Sequence, residues 1–119
     1  MRKKTAPIAA LVALSGCGVF DEACTTDIQP GIIITSVRDA VSGSQLPSPR
    51  GAVRDGEFMD SLREWDSGRL AAAWERPGTY DVEVVHDGYL PWTRTNVRVR
   101  DASCHTQKVN LEATLAPQP

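Results

Sequence analysis

The 119-residue chain holds 13 Lys and Arg against 15 Asp and Glu, a net charge of −2, with 41% hydrophobic and 24% charged residues. That length suits one domain with a modest core, and it excludes a second domain. A negative net charge also argues against nucleic acid as a partner, because neutralising phosphates takes a surplus of Lys and Arg.

The chain opens on Arg2, Lys3 and Lys4, continues through a short apolar run from Ala6 to Leu14, and closes that run with Leu14, Ser15, Gly16 and Cys17. The run is far shorter than the ~20 apolar residues of a spanning helix, and its basic residues flank only one side. This is the pattern of an export signal with a cleavage site. The tetrapeptide ending in Cys17 resembles the lipobox of bacterial lipoproteins. The resemblance implies cleavage after residue 16, a diacylglycerol on the Cys17 thiol and a membrane anchor, the cysteine being the strongest nucleophile there. At ~0.8 kcal/mol per buried methylene, two or three acyl chains hold a small protein stably on a bilayer. Gly18, at a position where aspartate favours inner-membrane retention in that family, implies the outer membrane if the host has one.

Removing the first 16 of 119 residues leaves 103, with 10 basic residues against 15 acidic ones and a net charge near −5. Of the three cysteines, Cys24 and Cys104 remain once Cys17 is assigned to lipid. In an oxidising compartment they are expected to pair rather than stay as free thiols. A metal site is the weaker alternative: Cys104 and His105 are adjacent, but no CxxC or HxxxH supplies further ligands.

Residues 17–30 read as the lipidated N-terminus and a short polar tether rich in Asp21, Glu22, Thr25, Thr26 and Asp27, closed by Pro30-Gly31. Residues 31–115 read as strands separated by Gly and Pro turns, and 116–119 as a tail. Positions 32–38 form an apolar strand with Ile33, Thr35 and Val37 as its inward set, and 51–54 a shorter strand. Asp55-Gly56 is a hairpin signal with a returning strand from Glu57. The stretch 57–65 is ambiguous, because Phe58, Leu62 and Trp65 fall at helical spacing as well; a strand ending near Leu62 is the preferred reading. After a short strand at 69–75, alternation at 79–86 places Tyr80, Val82 and Val84 inward and Asp81 and Glu83 outward. At 93–100 it sets Thr93, Thr95, Val97 and Val99 against Arg94, Asn96, Arg98 and Arg100. At 105–115 the inward set is Val109, Leu111, Ala113 and Leu115. The expected fold is all-β, a seven-stranded antiparallel sandwich.

The order Val37-Arg38-Asp39, Ser42-Gly43, Leu46-Pro47, Gly51-Ala52-Val53, Pro77-Gly78-Thr79-Tyr80-Asp81-Val82-Glu83-Val84, Gly88-Tyr89 and a last strand ending in Leu111 to Leu115 resembles the carboxypeptidase regulatory-like domain. The resemblance covers about 85 residues. It implies a prealbumin-like (transthyretin-like) sandwich serving as a non-catalytic accessory module. In its turns, Gly78 is expected to allow a sharp entry into the strand, and Gly88 a left-handed turn that packs Tyr89 over the sandwich end.

Catalytic patterns are scarce: there is no G-x-S-x-G, no Gly-rich phosphate loop and no zinc pair, and His86 and His105 read as structural. No enzyme activity, cofactor or metal is expected. Asp60, Glu64 and Asp66 read as a solvated acidic loop rather than a calcium site, lacking the EF-hand ligand spacing. Arg94, Arg98 and Arg100 form a basic stripe best explained by cross-strand pairs with Asp81 and Glu83, the alternative being contact with anionic lipid or polysaccharide near the anchor. Trp65, Tyr89 and Trp92 sit in or beside loops, whereas Trp74 reads as core. The loop aromatics are expected to plug the sandwich ends; the alternative is stacking on a carbohydrate or murein ligand, or anchoring an envelope protein partner.

Overall fold

The computed structural model describes residues 24 and 26–119, so Cys17, the expected export signal and most of the expected tether lie outside the described residues. Among the described residues are eight strands and no helix: β1 (Pro30–Asp39), β2 (Arg50–Asp55), β3 (Phe58–Ser61), β4 (Arg63–Trp65), β5 (Arg69–Trp74), β6 (Gly78–Val85), β7 (Trp92–Val99) and β8 (Val109–Leu115). They form two four-stranded sheets, ordered β4-β5-β1-β8 and β3-β2-β6-β7. The core between them contains Ile32, Ile34, Val37, Val53, Leu62, Leu70, Tyr80, Val82, Val84, Val97, Val99, Leu111 and Leu115. The architecture is a β-sandwich.

Two details correct the sequence reading. Eight strands replace seven because the ambiguous stretch crosses between sheets. Phe58–Ser61 pairs with β2, Arg63–Trp65 pairs with β5, and Leu62 forms the corner, buried and donating its N–H to the Gly51 carbonyl at 2.9 Å. The sandwich is also not wholly antiparallel. β8 pairs with β1 in parallel, with Ile32 opposite Val109 and Asp39 opposite Leu115, so both strands leave the same end of the molecule.

Where alternation is unbroken, side chains point as expected. Tyr80, Val82 and Val84 of β6 are buried between exposed Asp81 and Glu83, and β8 buries Leu111, Ala113 and Leu115. Two bulges overturn the other assignments. In β1 the register slips between Ile34 and Ser36, so the core set is Ile32, Ile34 and then Val37, not Ile33, Thr35 and Val37. In β7 the register slips opposite Tyr80 and Val82, and Asn96 takes a φ of 60°. The extra residue leaves Thr93 and Thr95 exposed while Val97 and Val99 enter the core. One inserted residue reverses every later side chain, because the period of a strand is two.

Around Tyr80 the fold is locked at one end. Its buried hydroxyl donates to the Arg76 carbonyl at 2.7 Å, a corner contact typical of β-sandwiches, and accepts from Arg76 Nη1 at 3.0 Å. Arg76 also reaches the Asp55 carboxylate at 3.1 Å and lies 3.8 Å over the Phe58 ring. Gly78 serves this cluster by lacking a side chain, since a β-carbon there would strike the Asp55 carboxylate. Gly88 is left-handed as expected, with φ of 86°.

Candidate functional site

The strand directions give the sandwich two distinct ends. At the first, where β1 begins and β5 and β7 finish, Cys24 and Cys104 form a disulfide with Cα atoms 5.2 Å apart. Beside it, Glu75 gathers three segments of chain. Its carboxylate accepts from the Gln29 N–H at 2.9 Å, from His105 Nδ1 and from the backbone of Thr106, while its own N–H donates to the Gln29 carbonyl at 3.0 Å. Partial burial works to raise the Glu75 carboxyl, but the bonds from His105 and Gln29 outweigh it and hold the group below its ordinary value. His105 and Glu75 are a histidine–carboxylate pair; the adjacent Cys104 sulfur is tied in the disulfide and is no nucleophile for it. Its chemistry is that of a clasp.

Arg98 and Arg100 belong to this same end. Together with Pro77, Gly78, Thr79, Val99 and Asp101 they line an open cleft of about 480 Å³. The hairpin after β7 carries Arg100 to the disulfide: the Arg100 carbonyl accepts from the Gln107 N–H at 2.8 Å, and Asp101 bridges to Thr106.

The opposite end is built on Asp39. Its carboxylate accepts from the N–H groups of Val41 (2.7 Å) and Ser42 (2.9 Å) and from the Tyr89 hydroxyl at 2.6 Å. The Tyr89 bond, followed by the Ser42 and Val41 bonds, pulls the Asp39 carboxyl below its ordinary value, and the same carboxylate pushes the Tyr89 phenol above its own. His86 sits edge-on to Tyr89, ring centres 5.5 Å apart, with one ring nitrogen 2.8 Å from the Pro47 carbonyl. The last residues close over this end: Leu90 N–H donates to Ala116 O, and Gln118 N–H to Gly88 O. Tyr89 therefore packs over the end of the sandwich.

The basic stripe does not exist as a stripe. The β7 bulge places Arg94 opposite Val82 but Arg98 opposite Thr79, on different faces of the sheet. Among the described residues no ion pair joins Arg94, Arg98 or Arg100 to Asp81 or Glu83. Arg54 stands across from Asp81 instead, and Arg94 lies 5.1 Å over the Trp92 ring. Trp92 packs against the core. Trp65, Tyr89, Trp92, Arg94 and Arg98 are thus not brought together: the first lies on the β4 edge, the next three towards the Asp39 end, and Arg98 at the disulfide end.

Trp74 is not core. It meets Trp65 edge to face at 5.8 Å, half-buried and outside the core cluster, with the Arg69 guanidinium 5.0 Å over Trp65. Left-handed Ala73, φ 61°, turns its own methyl into the core and Trp74 out of it. The acidic trio is dispersed as well. Asp60 lies on β3 and accepts from the Ala73 N–H at 2.9 Å, Glu64 lies on β4, and Asp66 pairs with Arg69 at 2.5 Å. A second open cleft, of about 600 Å³, lies between the Leu46–Arg50 loop and the β4 edge, floored by Leu62 and Leu70 and rimmed by Glu64.

Sequence reasoning missed Asp39, Asp60, Glu75 and Arg76 as organising residues. An Asp followed within a few positions by Ser42 and Gly43 is an Asx-turn signal that identifies Asp39; Asp60 and Glu75 act through partners 13 to 46 positions away, and Arg76 joins the nearby Tyr80 to Asp55, 21 positions back, so no local pattern marks them. Comparison by sequence finds no matching family model and no matching curated protein.

Proposed function

We propose that the chain is an exported lipoprotein of the cell envelope, lipidated on Cys17, whose sandwich is a non-enzymatic binding or accessory module of the carboxypeptidase regulatory-like, prealbumin-like kind. The observation that carries this reading is the Cys24–Cys104 disulfide. A disulfide belongs to an oxidising compartment, which is where the lipobox-like signal would send the chain. The order of turn and strand signals over residues 31–115 supports the family reading, and Gly18 supports the outer membrane where the host has one.

The clasp and the tyrosine contacts give the polar groups of the two ends structural work, which favours a module over an enzyme. The test is fractionation of cells producing the wild type and Cys17→Ala. The wild type is expected in the membrane pellet, released only by detergent, and the variant outside it. A wild type that is soluble after export would overturn the anchor. Crosslinking in intact envelopes then separates the two module readings: a single reproducible protein partner identifies an accessory subunit, and a retained glycan identifies a carbohydrate-binding module.

A further inference from the structure

We infer that the cleft at the disulfide end, with Arg98 and Arg100 on its rim, is a seat for the phosphate headgroups of anionic lipids in the membrane to which the chain is anchored. The inference rests on the lipid-anchor reading for its geometry. Cys17 lies seven positions before Cys24, a segment that reaches at most about 25 Å when fully extended. Cys24 is fastened to Cys104, only four positions past Arg100, so the chain enters the sandwich at the end that carries the cleft.

Both arginines are exposed and neither is engaged in an ion pair among the described residues. They stand two apart on β7 and just beyond it, after the bulge, and so share a face. The Thr79 hydroxyl lines the same cleft as a further donor; Asp101 lines it too and offsets one of the two positive charges. Two guanidinium forks beside a hydroxyl suit a phosphodiester, which each fork can grip through paired N–H groups. A protein with a net charge near −5 would otherwise be repelled by an anionic surface, so a local positive end also sets which way the sandwich faces.

The experiment uses the whole mature chain with Cys17→Ser, so that binding is not masked by the anchor and does not depend on lipidation. Failure of the anchor reading would show in the mature N-terminus of the native protein, independently of this result. The probes are vesicles of phosphatidylcholine alone and vesicles containing phosphatidylglycerol, read by co-sedimentation at low salt. At about 1 kcal/mol for each arginine near the surface, the anionic vesicles are expected to bind roughly tenfold or more tightly than the neutral ones. Arg98→Glu with Arg100→Glu should remove that preference. The charge-matched pair Arg50→Glu with Arg94→Glu, at the other end, should keep most of it.

For the unaltered arginines, 0.5 M salt should abolish the preference, a readout that needs no variant to fold. Equal binding to both vesicles, equal loss in the two double variants, or salt-independent binding would overturn the inference. Binding of inorganic phosphate to the same chain in the absence of vesicles, with no binding to the phosphatidylglycerol vesicles, would also overturn it, by assigning the cleft to a free anion.

Discussion

Glu75 and His105, thirty positions apart, meet side chain to side chain beside the Cys24–Cys104 disulfide, and the same carboxylate holds the Gln29 N–H where the chain enters β1. The contact fastens the lead-in segment, the β5–β6 turn and the loop before β8 to one another. The lead-in is thus fixed to the sandwich at two points, Cys24 and Gln29.

The clasp and the Asp39 cluster at the opposite end should both make stability fall in acid. Glu75 and Asp39 both titrate below their ordinary values in the fold. A carboxyl depressed by folding contributes its full stability above its unfolded value, near pH 4, and loses it as the pH falls through the lower folded value. Chemical denaturation is expected to give constant stability from pH 7 to about 5 and a decline below about 4. Glu75→Gln should be less stable than the wild type at pH 7 and show a shallower acid decline. An unchanged acid slope in the variant would remove Glu75 from the account.

Opening the disulfide should be costly. It closes a loop of 80 positions, which on the chain-entropy model stabilises the fold by about 4 kcal/mol. Cys24→Ser with Cys104→Ser should lower the denaturation midpoint sharply while leaving the β signature of circular dichroism at low temperature. A midpoint unchanged by the double substitution would show that the linkage constrains nothing.

Asp60 is expected to behave as a structural residue. It satisfies the N–H of Ala73, which is fully buried and left-handed, across the gap between the two sheets. Asp60→Ala leaves that donor without a partner and should cost about 1–3 kcal/mol. Asp60→Asn keeps an acceptor oxygen and should recover most of the loss. Equal losses in the two variants would point to charge rather than the hydrogen bond.

Tyr89 and Asp39 should titrate as a linked pair. In the wild type the phenol is expected to ionise above its ordinary value and the carboxyl below its own. Tyr89→Phe should move the Asp39 carboxyl back towards the ordinary range, a shift visible in the carboxyl carbon resonance. No movement would show that the Val41 and Ser42 N–H groups alone set the Asp39 value.

Much of the sandwich was legible in the chain because β6 and β8 alternate without interruption, and alternation is the direct imprint of one wet and one dry face. It misleads at two places for one physical reason: β1 and β7 each carry a bulge, next to Thr35 and Asn96, that shifts the parity of the strand. Arg94 and Arg98, at even spacing in the sequence, therefore do not share a face. Trp74 leaves the core without any slip of register, because Ala73 before it is left-handed. The crossing at Leu62 was half visible, since an apolar residue at the end of a weakly patterned strand fits a corner as well as a strand end. The Cys24–Cys104 pair was legible once the lipobox resemblance set Cys17 aside and left two cysteines, whereas the clasp beside it depends on a β-strand end, a loop and a lead-in meeting in space.

The central claim is that this sandwich is carried on a lipid at Cys17, and mass spectrometry of the native mature protein tests it most directly. The account predicts a chain beginning at Cys17 whose N-terminal peptide bears a diacylglyceryl group, with or without an amide-linked acyl chain. An unacylated mature protein, or one beginning at any other residue, would contradict it.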